Sequence, residues 1–257
     1  MRKTLLAAAA LTIAAALALA GVATATKPTV VRAGNLVFKI DGGVTPKKLP
    51  RRRLAPIALH ASGSIGTADG SHPPALQKVK IEFDKHGTID AKGLPVCHAG
   101  QLQARDTKHA KAACPSSIVG HGSTSVEVAF AEQQPFDASG PLVVFNGGVH
   151  GGVTTLYIHA YVAVPAPTAI VTVVKVRKIH RGRYGTEAIA TVPTIAGGSG
   201  SVTRFNLVIQ RNFRQRGHRV GYLMAKCANG RFYARALSFY SDGTRLAGNV
   251  VRTCKPR

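Results

Sequence analysis

Residues 78–84 read Lys-Val-Lys-Ile-Glu-Phe-Asp, and this alternation of charged and apolar side chains decides the fold class. Successive side chains of a β-strand point to opposite faces, so every second residue of the segment faces a core and the others face water. Segments 125–130 and 204–210 alternate in the same way. The pattern predicts an all-β protein whose strands have one buried face and one exposed face.

Two further segments, 156–164 and 170–176, are apolar on both faces, so we expect them in the middle of the sheets. Turn residues separate the strand signals at close intervals, as is typical of an all-β sandwich. The pairs Asn229-Gly230 and Asp242-Gly243 are strong hairpin signals, because Gly adopts the positive φ of tight β-turns. The sequence therefore predicts an antiparallel β-sandwich.

A short helical excursion interrupts the β pattern. Asp106 or Thr107 can cap a helix over Lys108–Ala113, and the proline that follows Cys114 ends it. A bridge from Cys114 to Cys97 would pin this excursion onto the sheet. The predicted fold class is therefore all-β, an antiparallel β-sandwich with one short helical, disulfide-pinned excursion.

Four cysteines indicate two disulfide bonds, which are typical of exported proteins and allow three connectivities. Pairing of neighbours in sequence is favoured, Cys97 with Cys114 and Cys227 with Cys254. In the chain-entropy model each such bridge stabilises the fold by roughly 3 kcal/mol. A zinc site is the alternative, but the close Cys and His spacings of zinc sites do not occur in the sequence.

The second bridge conflicts with the simplest arrangement of the last strands. Two-residue turns at both hairpin signals would place Cys227 and Cys254 on either side of one middle strand, about 9–10 Å apart. A disulfide needs Cα atoms within about 7 Å. A bridge between these cysteines therefore requires a flanking strand to leave the sheet.

The N-terminus has the three parts of a cleavable export signal. Arg2 and Lys3 form a positive n-region, residues 5–20 form an apolar stretch, and Ala23-Thr24-Ala25 supplies a small-residue cleavage site. The alternative is a retained membrane anchor, but the Ala-rich stretch is short for the about 20 residues of a stable span. We predict a signal peptide over residues 1–25, a secreted, extracellular mature chain and no transmembrane segment after cleavage.

Residues 26–257 are predicted to form a single β-sandwich domain. The polar stretch 133–140, which contains proline and glycine, is a possible weak boundary. The segments on its two sides have the same character, so they do not force a division into two domains.

The formal net charge is +23, and it is unevenly distributed. Residues 26–138 hold 15 basic and nine acidic residues, whereas residues 139–257 hold 17 basic residues and only two acidic ones, Glu187 and Asp242. A positive field of this size attracts polyanions such as nucleic acid, anionic wall polymers or acidic membrane surfaces. The alternative is that the charge only keeps the protein soluble.

Two basic loops are the candidate anion-binding sites. The first contains Lys47, Lys48, Arg51, Arg52 and Arg53, and the second contains Arg211, Arg214, Arg216, His218 and Arg219. Phe213 in the second loop can stack on a base or lie on the core. If both loops lie at one end of the sandwich, they form one surface whose binding depends strongly on salt and not on sequence. Two solvated loops are the alternative.

Patterns of catalytic residues are weak throughout. The segment Gly197–Ser201 comes nearest to the G-x-S-x-G nucleophile elbow, but Ser201 replaces the last Gly. Histidines lie at least nine residues apart, and the clustered carboxylates of calcium sites do not occur. His159 lies between Tyr157 and Tyr161, where a polar sheet face explains it better than chemistry. We predict no catalytic residues, no metal and no cofactor.

Four short segments form a recognisable set together with the closing Cys227 and Cys254. They are residues 42–50 (GGVTPKKLP), 70–76 (GSHPPAL), 93–97 (GLPVC) and the stretch from Cys114-Pro115 to Gly120. This set resembles a group of uncharacterised secreted proteins of high-GC actinobacteria over nearly the whole mature chain. The resemblance implies export and a β-rich body with two Cys pairs, and it implies no activity.

The sequence therefore favours a non-enzymatic exported protein that acts near the cell envelope and contacts anionic polymers through its basic loops. An envelope hydrolase with catalytic groups on scattered strands is one alternative. A structural or adhesive module with a protein partner is another.

Overall fold

The computed structural model describes residues 27–163, 166–215 and 217–257, without the side chains of residues 218 and 219. The predicted signal peptide, residues 1–25, lies outside these ranges. The strands are β1 (Thr29–Ala33), β2 (Leu36–Thr45), β3 (Lys48–Leu49), β4 (Ala55–Pro56), β5 (Ala58–Thr67), β6 (Leu76–Asp84), β7 (Gly87–Ile89), β8 (Ile118–Val128), β9 (Phe136–His150), β10 (Val153–Val162), β11 (Thr168–Arg181), β12 (Tyr184–Thr191), β13 (Gly200–Ile209), β14 (Asn212–Gln215), β15 (His218–Gly221), β16 (Leu223–Ala225), β17 (Arg231–Tyr240), β18 (Arg245–Thr253) and β19 (Lys255–Pro256). The helix is α1 (Thr107–Ala113), and single 3-10 turns occur at Ala99–Gln101, Pro115–Ser117 and Ala196–Gly198.

Twelve strands form one antiparallel sheet in the order β1-β2-β5-β13-β8-β9-β10-β11-β12-β6-β17-β18. Its two edges approach each other, and the Thr29 hydroxyl on β1 donates to the Asn249 carbonyl on β18 at 2.8 Å. The sheet is therefore nearly closed and barrel-like, and its two halves face each other across a core. The prediction of an all-β antiparallel fold is confirmed, with both sandwich layers supplied by one continuous sheet.

The sheet has two ends, which differ in what covers them. We call the end that carries the connections 46–57, 85–94 and 210–230 the cap end. A second, three-stranded sheet with the order β4-β16-β7 lies there. The opposite end, with the connections 34–35, 68–75 and 241–244, is the far end.

The helical excursion packs on the outer side of β9 and β10. Asp106 caps α1 by accepting a hydrogen bond from the His109 backbone at 2.8 Å. Cys97 and Cys114 are bridged, with 5.7 Å between their Cα atoms. Their sulfurs join Leu102, Ala110, Val143 and Phe145 in a buried cluster. The predicted helix and its disulfide are both confirmed.

Cys227 and Cys254 are also bridged, with 6.0 Å between their Cα atoms. The approach is possible because β16 leaves the large sheet and pairs with β4 and β7 instead of β17. The hairpin predicted at Asn229-Gly230 is therefore wrong, whereas the turn at Asp242-Gly243 does join β17 to β18. Turn chemistry alone indicated a hairpin, but the disulfide and the cap sheet hold the preceding strand elsewhere.

Residues 133–140, the possible domain boundary, run from the β8–β9 connection into β9. Both strands belong to the same sheet and pair with each other from Ile118 to Val128. Within the described ranges, no helix has the length and apolar character needed to cross a membrane.

Candidate ligand cavity and basic end

The interior of the sheet is packed in one half and hollow in the other. At the far end, large side chains form a continuous buried cluster: Leu36, Phe38, Ile65, Leu76, Tyr240 and Leu246. A Cβ at Gly63 would lie 2.6 Å from the Phe205 ring and 2.9 Å from the Phe38 ring, so this glycine makes room for both aromatic side chains. The far half of the interior is filled.

The half nearer the cap end contains a cavity of about 270 Å³. Apolar side chains form most of its wall, among them Ile81, Val144, Leu156, Val174, Leu207 and Val250. Cavities of this kind, at the mouths of closed sheets, are common places for small-molecule binding. An apolar cavity of about 150 Å³ already suffices to hold benzene.

Small side chains beside β6 explain why this half is hollow. Ile81 on β6 is flanked in register by Ala188 on β12 and Ala236 on β17. Two residues before Ile81 on β6, Val79 is opposite Ala190. Two residues after Ile81, Phe83 is opposite Ala234. Because side chains two apart on a strand share a face, these alanines all point inward with the large residues of β6. Each leaves unfilled the space that a valine or leucine would take.

The three-stranded cap sheet lies over the cavity. Leu223 and Met224 of β16 and Ile89 of β7 contribute to its wall. The Ile57 backbone donates to the Leu223 carbonyl at 3.0 Å, which ties the cap to the chain before β5. Beside them, the Tyr222 side chain is fully buried and its hydroxyl donates to the Asn146 amide oxygen at 3.3 Å. Burial raises the pKa of the Tyr222 hydroxyl, so it stays neutral and can act as a donor.

Polar groups gather at the rim of the cavity, where β2 meets β18. Asp41 and Arg252 form an ion pair there, and both residues line the cavity. His60 also lines it, and its Nε2 lies 2.9 Å from the Thr45 hydroxyl. The apolar space therefore ends at a small polar opening.

The first basic loop lies at the cap end beside the C-terminus. Lys48 pairs with Lys255 through the parallel strands β3 and β19, and the Arg51 backbone donates to the Arg257 carbonyl at 3.3 Å. The predicted residues of this loop, Lys47, Lys48, Arg51, Arg52 and Arg53, are all exposed. The basic C-terminal residues extend this surface, an addition that the sequence prediction missed.

The second basic loop lies at the same end but contributes less than predicted. Arg214 is exposed, whereas Arg211 donates from Nη1 to the Ile118 carbonyl at 2.8 Å and holds the loop to β8. Phe213 packs against the core at the cap end. Arg216 lies outside the described residues, as does the side chain of Arg219. The topology thus brings both loops to one end of the sheet.

An unpredicted ion network covers the outer face of β11, β12, β6 and β17. Glu82 and Glu187 are directly opposite each other in register, and both are buried. Lys80 and Arg177 lie 2.6 Å from Glu187, and Arg235 lies 2.5 Å from Glu82. The facing carboxylates are thus fully engaged by cations and support the sheet.

The Glu187 carboxyl is ionised despite its burial. Burial opposes ionisation, but hydrogen bonds and charges from Lys80 and Arg177 outweigh it and lower the pKa of Glu187 below its ordinary value. A glycosidase needs one carboxyl with a raised pKa to act as the acid. The lowered pKa of Glu187 is the opposite of what that acid requires, and cations pair with both carboxylates.

Ser201, His72 and Glu127 have the spacing of a serine hydrolase triad at the far end. The Ser201 Oγ lies 3.1 Å from His72 Nε2, and His72 Nδ1 lies 2.6 Å from Glu127. However, the Ser201 hydroxyl donates its one hydrogen to the Pro73 carbonyl at 2.6 Å. The hydroxyl hydrogen is therefore directed at Pro73 and not at His72 Nε2, as it would be in an activated nucleophile.

Ser201 is also closed to substrate, since it is only 1% exposed beneath the 68–75 connection. The cluster fastens that connection to β13 and β8. The Ser-Gly pattern of this segment is visible in the sequence, but no local pattern indicates its partners His72 and Glu127, which are distant in the chain.

His159 anchors the helical excursion from below. Its side chain is fully buried on β10, and Nε2 donates to the Arg105 carbonyl at 2.9 Å. Burial lowers the pKa of His159, and Nδ1 has no hydrogen-bond partner among the described atoms. The residue is therefore a neutral structural histidine.

No cluster of three or more potential metal ligands occurs in the described part of the chain. Comparisons with protein-family models, with curated proteins and with solved structures give no match. The resemblance to secreted actinobacterial proteins therefore stays a prediction.

Proposed function

We propose that this chain is an exported, non-enzymatic protein that binds a small apolar or amphiphilic molecule inside its sheet. The cavity of about 270 Å³ at the cap end carries this proposal. A void of this size deprives its wall of packing contacts and so costs stability, unless a ligand supplies them. The two disulfides support an oxidising, extracellular compartment.

Filling the cavity from its own wall tests this function. Ala190→Leu adds a branched side chain at an inward position of the hollow half. Ala247→Leu makes the same change on the exposed face of β18 and is the matched control. The probe is a neutral naphthylamine dye whose fluorescence rises in apolar surroundings.

The wild type and Ala247→Leu are expected to bind the dye with equal affinity, and Ala190→Leu is expected to bind it at least about tenfold more weakly. A tenfold loss corresponds to about 1.4 kcal/mol, less than the transfer free energy of two methylene groups. Equal dye binding by all three proteins, or none by the wild type, would refute the cavity as a binding site.

A second function, binding of an anionic polymer at the cap end, is favoured by the meeting of the two basic loops there. Lys47, Lys48 and Arg51–Arg53 lie next to Lys255 and Arg257, all exposed. Such a cluster binds through release of counterions, so the affinity falls steeply with salt. This surface and the interior cavity are separate, and the two functions are compatible.

A salt series on immobilised DNA and on anionic wall polymer tests the second function. We compare Lys47→Gln/Lys48→Gln with Lys108→Gln/Lys111→Gln, which removes two exposed charges from α1. Each lost phosphate contact should reduce the slope of log affinity against log salt by about one. The slope is expected to fall by about two in the loop variant and to stay unchanged in the helix variant. Retention that does not weaken with salt would exclude electrostatic binding.

A further inference from the structure

The two edges of the sheet are joined differently along their length. Near the far end, β1 lies against β18, and Thr29 is its first residue. Thr29 is in register with Ile40, so β2 continues toward the cap end past the start of β1. Along this stretch β2 and β18 are bridged by side chains, since Arg252 on β18 pairs with Asp41 on β2. The seam at the cavity rim is thus closed by an ion pair rather than by a backbone ladder.

Arg252 belongs to the interior side of β18. It follows Leu246, Gly248 and Val250 at intervals of two residues, and those three are buried. Its side chain is 16% exposed and lines the cavity. Of the described residues around the cavity, Arg252 alone carries a lysine or arginine charge.

Asp41 is the more accessible partner, because its side chain is 37% exposed. Its carboxylate also accepts a hydrogen bond from the Gly42 backbone at 2.6 Å. A Cβ at Gly43 would lie 3.8 Å from the Arg252 Cγ, so the stem of the arginine passes close to this glycine. Arg252 is therefore held inside the rim, while Asp41 reaches it from the solvent side.

We propose that the ligand is an anionic amphiphile, a medium-chain carboxylate whose chain fills the hollow and whose head group binds Arg252 in place of Asp41. This inference rests on the proposed cavity function and specifies its ligand class. In this structure the Asp41 carboxylate occupies the position proposed for the ligand head group. Entry exchanges one carboxylate for another on the same guanidinium, and the apolar chain supplies the net gain.

Decanoate and decanol test the head group, because they share the same chain and differ in charge. Isothermal titration calorimetry compares their affinities for the wild type, Arg252→Met and Asp41→Asn. Arg252→Met keeps the apolar stem and removes the charge, and Asp41→Asn removes the competing carboxylate. Decanol binding reports in each variant that the cavity is intact.

Asp41→Asn, in which no carboxylate competes for Arg252, is expected to bind decanoate at least about tenfold more tightly than decanol, the usual contribution of a charge-assisted hydrogen bond. The wild type should bind decanoate several-fold more weakly than Asp41→Asn does and decanol equally well, and Arg252→Met should have no preference between the two ligands. Equal affinities for the two ligands in Asp41→Asn, or a preference for decanoate that survives Arg252→Met, would overturn the assignment but leave the cavity function standing. If neither ligand binds the wild type, the cavity function fails as well.

If Arg252→Met also loses decanol binding, the substitution has disturbed the cavity itself. Asp41→Asn then decides whether the ligand carboxylate binds Arg252 in place of Asp41. Unchanged decanoate affinity in Asp41→Asn would show that Asp41 does not compete for Arg252. Arg252→Lys, made together with Asp41→Asn, keeps a charge at the rim and is expected to retain part of the preference for decanoate.

Discussion

The far half and the cap half of the interior are built from the same strands, yet only the far half is filled. In the far half, Phe38, Tyr240 and Leu246 pack into one cluster, and a glycine gives way to aromatic rings. In the cap half, alanines flank β6 on both sides and leave a cavity. Because both halves are built from the same strands, the hollow results from the small size of the inward side chains in the cap half. The cap half thus contains the space that the proposed ligand would fill.

The largest expected effect comes from removing the same side chain in each half. Leu246 and Leu156 are equally inaccessible to solvent, at 4% and 3% exposure. Leu246→Ala opens a new cavity in a filled region and should cost about 3–5 kcal/mol. Leu156 already faces a void on one side and has fewer contacts to lose, so Leu156→Ala should cost about 2 kcal/mol. Denaturant unfolding of both variants measures the difference, and equal losses would show that the two halves are packed alike.

Substitutions that add atoms should affect stability differently in the two halves of the interior. Ala160 belongs to the filled cluster around Val126 and Ile170, where Ala160→Leu should destabilise by about 1–3 kcal/mol through overpacking. Ala190→Leu grows into the cavity, and we expect its stability to be unchanged or raised by up to about 1 kcal/mol. Thermal unfolding of the two variants provides the comparison. A loss in Ala190→Leu as large as that in Ala160→Leu would mean that the cavity cannot accept a side chain.

Alternation along the sequence predicted which side chains face the interior, but not that part of the interior is hollow. The segment 78–84 correctly placed Val79, Ile81 and Phe83 toward a core, since period two is a property of every strand. The pairs Ala188/Ala190 and Ala234/Ala236 also have period two, but their meaning depends on register. Only the pairing of β12 and β17 with β6 shows that all four alanines face one space.

The basic loops and the second disulfide also depend on how distant parts of the chain are brought together, which local sequence patterns do not show. The sequence contained the charged residues, and the topology brought both loops to the cap end. The need for a strand to leave the sheet was predicted from the distance between Cys227 and Cys254, and β16 is that strand. The Asp41–Arg252 pair is 211 residues apart in the chain, and no local pattern connects the two residues.

A smaller effect tests whether the far end is closed as well as filled. Ser201→Ala removes the hydroxyl that donates to the Pro73 carbonyl and contacts His72, and it should cost about 1 kcal/mol. The buried hydroxyl of the wild type should not react with a fluorophosphonate reagent that labels activated serines, as followed by intact-protein mass spectrometry. Labelling that disappears in Ser201→Ala would contradict this and would make the far end an active site.

The smallest effect concerns the outer layer, where His159 lies beneath the helical excursion. Burial lowers the pKa of His159 in the folded state, so the unfolded chain binds the proton more readily. The stability that depends on neutral His159 is therefore complete above the unfolded pKa of about 6.5 and is lost as the pH falls below it. Hydrogen exchange of α1 should accelerate between about pH 6.5 and 5 relative to the intrinsic rate, while exchange of the cap strands provides the internal reference.

His159→Gln supplies the control for this measurement. The glutamine amide can donate to the Arg105 carbonyl, as His159 does, but it does not titrate in this range. Protection of α1 in the variant should therefore be independent of pH over the same interval. Asp106 caps the same helix, and hydrogen bonds from His109 lower the pKa of its carboxyl, so its protonation lies below this window. A pH dependence that survives in His159→Gln would assign the titration to another group and remove His159 as the anchor of the excursion.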